Sequence, residues 1–391
     1  MGDEGPVMPT SEPTRARLSE VALLFLRLGF TAFGGPAAHI AMMESEVVRR
    51  RRWISPERFL DMMGAANLIP GPSSSELAIF IGYEQAGFLG LLVAGACFVL
   101  PAALMTGAIA WAYMRFGSLP RVSGVLYGIK PVVIAIVVQA LWGLAPKAIK
   151  KSRWLAALGV CACVAAALNV DALAVLVGIG VLSVLVHGAS TRARRDNGKR
   201  LLFLGPLAAT AAAPMASVSL GVLFLTFLKI GAVVFGSGYV LLAFLRADLV
   251  ERLHWMTESQ LIDAVAVGQV TPGPVFTTAT FIGYVLAGVP GAVVATIGIF
   301  LPGFFLVAAI RPIVTRVRTS PVASAFLDGV NVASLALMAV VTVQLGRSAL
   351  VDGITILLAA ASALLLLRFK VNSAWLIAGG ALTGVAVQGL R

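Results

Sequence analysis

The sequence predicts an all-α integral membrane protein: about ten transmembrane helices in two repeats of inverted topology, each with a re-entrant hairpin broken at a Pro-Gly-Pro. Three observations predict it, namely an apolar composition, an internal repeat at a fixed offset, and loop charges that reverse between the two copies. Of 391 residues, 59% are hydrophobic and 12% charged, with a mean hydropathy of +0.94, whereas a soluble domain is about 25% charged. Lipid is therefore the main solvent. Crossing a hydrocarbon core of about 30 Å takes about 20 helical residues, and apolar runs of that order recur at 21–43, 88–113, 122–144, 220–245, 288–310 and 322–345. Shorter runs at 155–168, 172–186, 354–367 and 374–387 read as pairs of short helices. Strand-like alternation is not sustained, which favours a bundle over a barrel.

Residues 1–17 are acidic and Pro-rich with no small-residue cleavage pattern, so they predict a disordered tail, and the first helix is expected to be retained. The net charge of +12 comes from short loops beside apolar spans, which is positive-inside anchoring rather than nucleic-acid binding. Cys97, Cys161 and Cys163 lie in apolar runs without a C-x-x-C pair. Cys161 and Cys163 diverge by about 200° around a helix, a poor chelate. The three histidines, His39, His187 and His254, are scattered. No metal, redox centre or other cofactor is expected.

Sliding the chain against itself by 202 residues exposes the repeat. Phe25, Gly29, Trp53 and Asp61 fall on Phe227, Gly231, Trp255 and Asp263, and Pro70-Gly71-Pro72 falls on Pro272-Gly273-Pro274. One residue is lost after the second break, and at an offset of 201 Phe80, Gly82, Pro101 and Gly128 match Phe281, Gly283, Pro302 and Gly329. The units are 18–188 and 219–391, joined by a lead-in at 189–218 whose basic part, 190–200, is expected in the cytoplasm. Arg49 to Arg52 in the first unit face a second-unit loop where Asp248, Glu251 and Glu258 outnumber Arg246 and Arg252. Conversely, the turn with Asn169 and Asp171 becomes Arg368 and Lys370. Reversed loop charge predicts inverted units, hence an odd number of crossings each. Five result if 57–86 enters and leaves from one face, as a short helix (57–68), a break, and a second short helix (73–85). A break at Phe33-Gly34-Gly35-Pro36 would change that count.

Non-helical backbone at membrane depth persists only where it is packed in protein or lines a wet cavity, so the paired Pro-Gly-Pro breaks mark the site. The helix that restarts after each break leaves its first N–H groups unpaired, with about half a positive charge, a cradle for an anion. Ser73, Ser74 and Ser75 follow the first break, Thr277 and Thr278 follow the second, and Thr271 precedes it. Hydroxyl and amide donors replace an oxyanion's hydration without trapping it, although the same hydroxyls also serve as plain helix caps. Arg27 and Lys229, matched in the two first helices, are candidate anion-attracting cations or interfacial snorkels. Lys130, opposite Asn331, is charged in one unit only. Asp61, Asp263 and Glu76 are candidate proton or charge relays, with interfacial solvation the plainer role for the two aspartates. Asn67 and Gln269 precede the breaks and either brace them or touch the ligand. Gly34, Gly35 and Gly236 permit close packing or unwinding.

These motifs resemble the chromate ion transporter family, in its two-domain form. Phe33-Gly34-Gly35-Pro36, Leu68-Ile69-Pro70-Gly71-Pro72, Phe235-Gly236-Ser237-Gly238-Tyr239 and Val270-Thr271-Pro272-Gly273-Pro274 carry the resemblance, which covers both halves. Ser237 stands where the usual pattern has a second Gly, a small-for-small change. The resemblance implies efflux of chromate across the inner membrane, with resistance as the phenotype and sulfate as a related ion. No nucleotide-binding G-x-x-x-x-G-K-[ST] motif is present. None is required: a dianion leaving across 100 mV gains about 4.6 kcal/mol, over a thousandfold in concentration ratio. Competing readings are a transporter of another oxyanion, an intramembrane reductase, which needs a redox centre, and an anion channel. A homodimer is compatible with all of them.

Overall fold

The computed structural model describes residues 16–33, 35–117, 119–149, 152–192, 218–235, 238, 240–310, 320–369 and 371–390. The predicted tail up to residue 15, Gly34, Gly236 and residues 193–217 of the lead-in lie outside them. The described chain is 87% helix with no strand. The first unit comprises α1 (Leu18–Thr31), α2 (Gly35–Glu44) leading into a π-helical turn (Ser45–Arg50), α3 (Pro56–Ala66), α4 (Ser73–Phe116), α5 (Pro120–Ile149), α6 (Arg153–Ala167) and α7 (Ala172–Arg192). The second comprises α8 (Leu220–Val233), α9 (Leu241–Leu245) with its π-helical turn (Arg246–Arg252), α10 (Glu258–Val270), a 3-10 turn (Val275–Thr277), α11 (Thr278–Ile310), α12 (Pro321–Ala349), α13 (Gly353–Phe369) and α14 (Ser373–Leu390). Among the described residues, the stretches 73–116, 122–146, 275–309 and 321–349 are each long and apolar enough to cross a membrane.

Local chemistry sets the element ends alike in both units. Ser55 accepts the Arg58 N–H at 3.2 Å to cap α3, with Pro56 at the first helical position; Thr257 accepts the Gln260 N–H at 3.2 Å to cap α10. α4 is two helices meeting at a sharp turn, with Ala86 at φ −138° and Gly87 at φ +63°; α11 repeats it at Ala287 (φ −147°) and Gly288 (φ +62°). The chain doubles back there. A β-carbon at Gly82 would run into the Gly90 carbonyl and the Ala94 side chain, and the same clash recurs at Gly283 with Gly291 and Ala295. Small residues thus let the two arms of each hairpin touch.

The apolar runs at 21–43 and 220–245 predict one helix each, but both are broken. α1 stops at Thr31 and Ala32 turns extended (φ −81°, ψ 90°) because Pro36 lacks an N–H and Gly35 adopts φ +78°. In the second unit Val234 is extended in the same way (φ −71°, ψ 112°) without any proline nearby. At 14 residues each, α1 and α8 reach about 21 Å, short of a bilayer core.

The units interleave. α5 packs on α13 and α14 of the second unit, and its counterpart α12 packs on α6 and α7 of the first. Gly128 lies against Gly380 and Gly384, and Gly329 against Ile179, Gly180 and Ser183. Equivalent surfaces of the two units thus pair reciprocally. Even unusual dihedrals repeat: Arg52 and His254, equivalent at the 202 offset, both hold positive φ, at 53° and 51°.

Candidate functional site

Each unit has two helix interruptions, one after α1 or α8 and one at the Pro-Gly-Pro, and they bond in two pairs across the units. The Gly71 N–H donates to the Val234 carbonyl at 2.6 Å, and the Gly273 N–H donates to the Ala32 carbonyl at 2.9 Å. Ala32 and Val234 are equivalent residues, as are Gly71 and Gly273. Each break therefore supplies the partner that the other unit's break lacks, at a depth where an unsatisfied backbone group is costly. Gly71 (φ +128°) and Gly273 (φ +89°) hold conformations that side-chain-bearing residues rarely adopt.

Residues 71–80 are all buried. α4 begins at Ser73, so the N–H groups of Ser73 and Ser74 have no intrahelical carbonyl to bind, while the Ser75 N–H turns back to the Pro72 carbonyl at 2.7 Å. Ser74 Oγ lies 3.2 Å from His39 Nδ1. The Ser75 hydroxyl and both carboxyl oxygens of Glu76 are buried without a hydrogen-bond partner, and Glu76 is 0% exposed. Glu76 packs against Gly71, and its Cγ is 3.7 Å from where a β-carbon would stand on Gly303 of α11. It thus sits at the junction of the units.

At the second break the hydroxyls are already spent. Thr271 donates to the Val267 carbonyl at 3.0 Å, Thr277 to Pro274 at 2.8 Å and Thr278 to Val275 at 2.8 Å. These are back-bonds to carbonyls three or four residues earlier rather than caps, in which the hydroxyl would accept an N–H, and Thr106 of α4 reaches across to Thr271 (3.3 Å) and Thr277 (3.4 Å). Gln269 is different: its Nε2 is buried and unpartnered, and it lines a small cavity with Gly238, Val275, Thr278 and Val137. That cavity has room for about one water molecule, so admitting an oxyanion requires its walls to part.

The candidate cations are committed elsewhere. Arg27 pairs with Glu46 at 3.6 Å, and Lys229 with Asp248 at 2.7 Å. Glu46 also holds Arg50 (3.1 Å) and Asp248 holds Arg252 (2.9 Å), so two equivalent triads pin α1 and α8 to the π-helical turns. Lys130 pairs across the units with Asp263 at 3.2 Å, which also accepts from the Tyr113 hydroxyl at 3.1 Å. Asp61 and Asn67 are exposed. Gly35 is half-buried at the first interruption. A larger cavity of about 520 Å³ opens beside the second π-helical turn, lined by Asn169, Asp171, Arg246, Glu251, Arg252 and His254.

Sequence reasoning missed two features. The carboxylates Glu46 and Asp248 were detectable, because they sit at the 202 offset just as Arg27 and Lys229 do. His39 was not, since its contact with Ser74 is purely tertiary.

Long apolar helices and two homologous units whose breaks bond across their interface define a multi-pass membrane protein. The chain belongs to the chromate transporter family: the family model described as Chromate transporter matches residues 19–184 and 221–385, one match per unit. It is 35% identical over 379 residues to the chromate transport protein of Cupriavidus metallidurans, covering 95% of this chain and 94% of that one. It is 35% identical over 338 residues to a probable chromate transport protein of Synechococcus elongatus, with 86% of each covered. To the chromate transport protein of Pseudomonas aeruginosa it is 33% identical over 341 residues, covering 83% of this chain and 80% of that one. No solved structure matches the chain. These names point to transport rather than catalysis.

Proposed function

We propose that the chain exports chromate across the inner membrane, driven by the membrane potential, by ion coupling or by both, and thereby confers chromate resistance. The reciprocal bonds between Gly71 and Val234 and between Gly273 and Ala32 carry this reading. They tie each Pro-Gly-Pro to the other unit's first interruption in the protein interior, and in this reading the N–H groups of both restarts face a common ligand and replace the hydration of an oxyanion. In this reading the units are inverted about an axis in the membrane plane. About ten crossings result, with the linker at 190–200 in the cytoplasm. The first-break donors are the N–H groups and hydroxyls of Ser73, Ser74 and Ser75; at the second break they are the N–H groups before Thr277 and Thr278 and the Gln269 amide. Glu76 carries a proton at the same junction: as an acid it donates one O–H to the anion, as a carboxylate it repels a dianion. Arg27, Lys229 and the Lys130–Asp263 pair act at longer range, on the anion's approach or on the coupling of the units.

Purified protein in liposomes should move labelled chromate towards the positive side of an imposed potential, with flux rising as the potential grows and sulfate competing. Flux that ignores both the potential and an imposed ion gradient, or Cr(III) formed stoichiometrically by the purified protein, would displace this reading, the second outcome in favour of a reductase.

A further inference from the structure

His39 is 1% exposed and wedged between the two interruptions of the first unit. Its Nε2 lies 3.0 Å from the Ala32 carbonyl, the same oxygen that receives the Gly273 N–H, and its Nδ1 lies 3.2 Å from Ser74 Oγ. The ring meets Phe98 edge-on at 5.7 Å, which fixes its plane. A carbonyl only accepts, so Nε2 must bear the hydrogen. In the neutral ring Nδ1 is then a bare lone pair, and Ser74 must spend its one hydroxyl hydrogen on it. A dianion at the break would meet only the lone pairs of Ser74. Adding a proton to the ring reverses this bond: Nδ1–H donates to Ser74 Oγ, and the hydroxyl hydrogen is released to point at the anion.

We propose that His39 is a positioning residue that links oxyanion binding to proton uptake, by turning Ser74 from acceptor to donor. This rests on the reading of the paired breaks as the anion site. The step balances without an oxidant or reductant: one N–H bond forms at Nδ1 from a solvent proton, the Ser74 hydroxyl exchanges one acceptor for another, and no covalent bond to the anion is made. The device exists in one half only, because Leu241 and Val275 occupy the positions equivalent to His39 and Ser74. Among charged groups on the elements packed against the ring, Arg27 of α1 and Arg50 of the π-helical turn are tied to Glu46. On α4, Cys97 adjoins Phe98, and Glu76 lies two residues beyond Ser74. Among the described residues, Glu76 is the other titratable group beside Ser74, and the test must separate the two.

Calorimetry of chromate binding in buffers of differing ionisation enthalpy, at alkaline pH where chromate stays a dianion, counts the protons taken up. Wild type should take up more protons than His39→Gln, whose amide keeps the donor to Ala32 but holds no extra proton. His39→Gln should bind chromate about tenfold more weakly at the acidic end of the range and lose most of its pH dependence. Equal uptake in wild type and His39→Gln, with loss of uptake in Glu76→Gln, would assign the proton to Glu76 and overturn the inference. Imidazole nitrogen NMR of the wild-type protein needs no variant to fold: the His39 ring should become doubly protonated on saturation with chromate, and a ring that stays neutral overturns the inference. Ser74→Ala distinguishes the two levels of argument. If it leaves chromate affinity unchanged, the anion site itself is misplaced; if it weakens binding while His39→Gln behaves as wild type, only the role of His39 falls.

Discussion

Gly71→Ala and Gly273→Ala should each lower chromate flux about a hundredfold while Gly87→Ala lowers it less than tenfold. All three glycines have positive φ, at 128°, 89° and 63°, so each alanine carries backbone strain of about 1–3 kcal/mol. The surroundings differ. A β-carbon on Gly71 would strike the Glu76 carboxyl, and one on Gly273 would stand 2.7 Å from the Ala102 β-carbon; at Gly87 nothing lies within 4 Å. Overpacking adds about 1–3 kcal/mol at the first two sites. It would also drive the Gly71 and Gly273 N–H groups off the Val234 and Ala32 carbonyls, so the breaks no longer meet. Flux in liposomes, normalised to inserted protein, reads the difference, and equal losses at all three glycines would mean that strain alone, not the junction, governs transport.

Glu76→Leu should make the protein more stable and nearly abolish transport. An unpartnered buried polar group costs about 1–3 kcal/mol, and both oxygens of Glu76 are in that condition, so an apolar side chain of similar size removes a penalty. The counterpart in the second unit is Thr277, which is hydrogen-bonded to the Pro274 carbonyl. The acid is therefore not something the fold repeats. Retention of an unsatisfied carboxyl at the junction is the pattern expected of a group kept for function. Thermal unfolding in detergent should shift upward while chromate flux falls more than tenfold; destabilisation together with normal flux would make Glu76 a structural residue.

Much of this architecture was legible in the sequence because it is written in residue types with strong local physics. Proline and glycine punctuate the chain, so the stop near 67, the break at 70–72 and the restart at Ser73 could be read directly, and duplication made each feature checkable against its copy. The interruption at Phe33-Gly34-Gly35-Pro36 was visible only as an option, since small residues inside an apolar run fit close packing as well as unwinding. No nearby proline marks the break that begins with Val234. The junction itself was not legible: its bonds run from backbone N–H to backbone carbonyl, and backbone carries no side-chain signature. Arg27 and Lys229 show the opposite limit. A cation in an apolar helix invites a ligand reading, and only the fold reveals the carboxylates of Glu46 and Asp248 beside them.

The anion is expected between the two Pro-Gly-Pro breaks, and chromium makes it directly visible. Diffraction from crystals soaked in chromate, recorded either side of the chromium absorption edge, locates the metal by its anomalous difference density. One peak is predicted between Pro72-Ser73 and Pro274-Val275, near Ser74, Glu76 and Gln269. A peak confined to the charged cavity lined by Arg246 and Arg252, with none between the breaks, would rule out an anion site at the Pro-Gly-Pro pair.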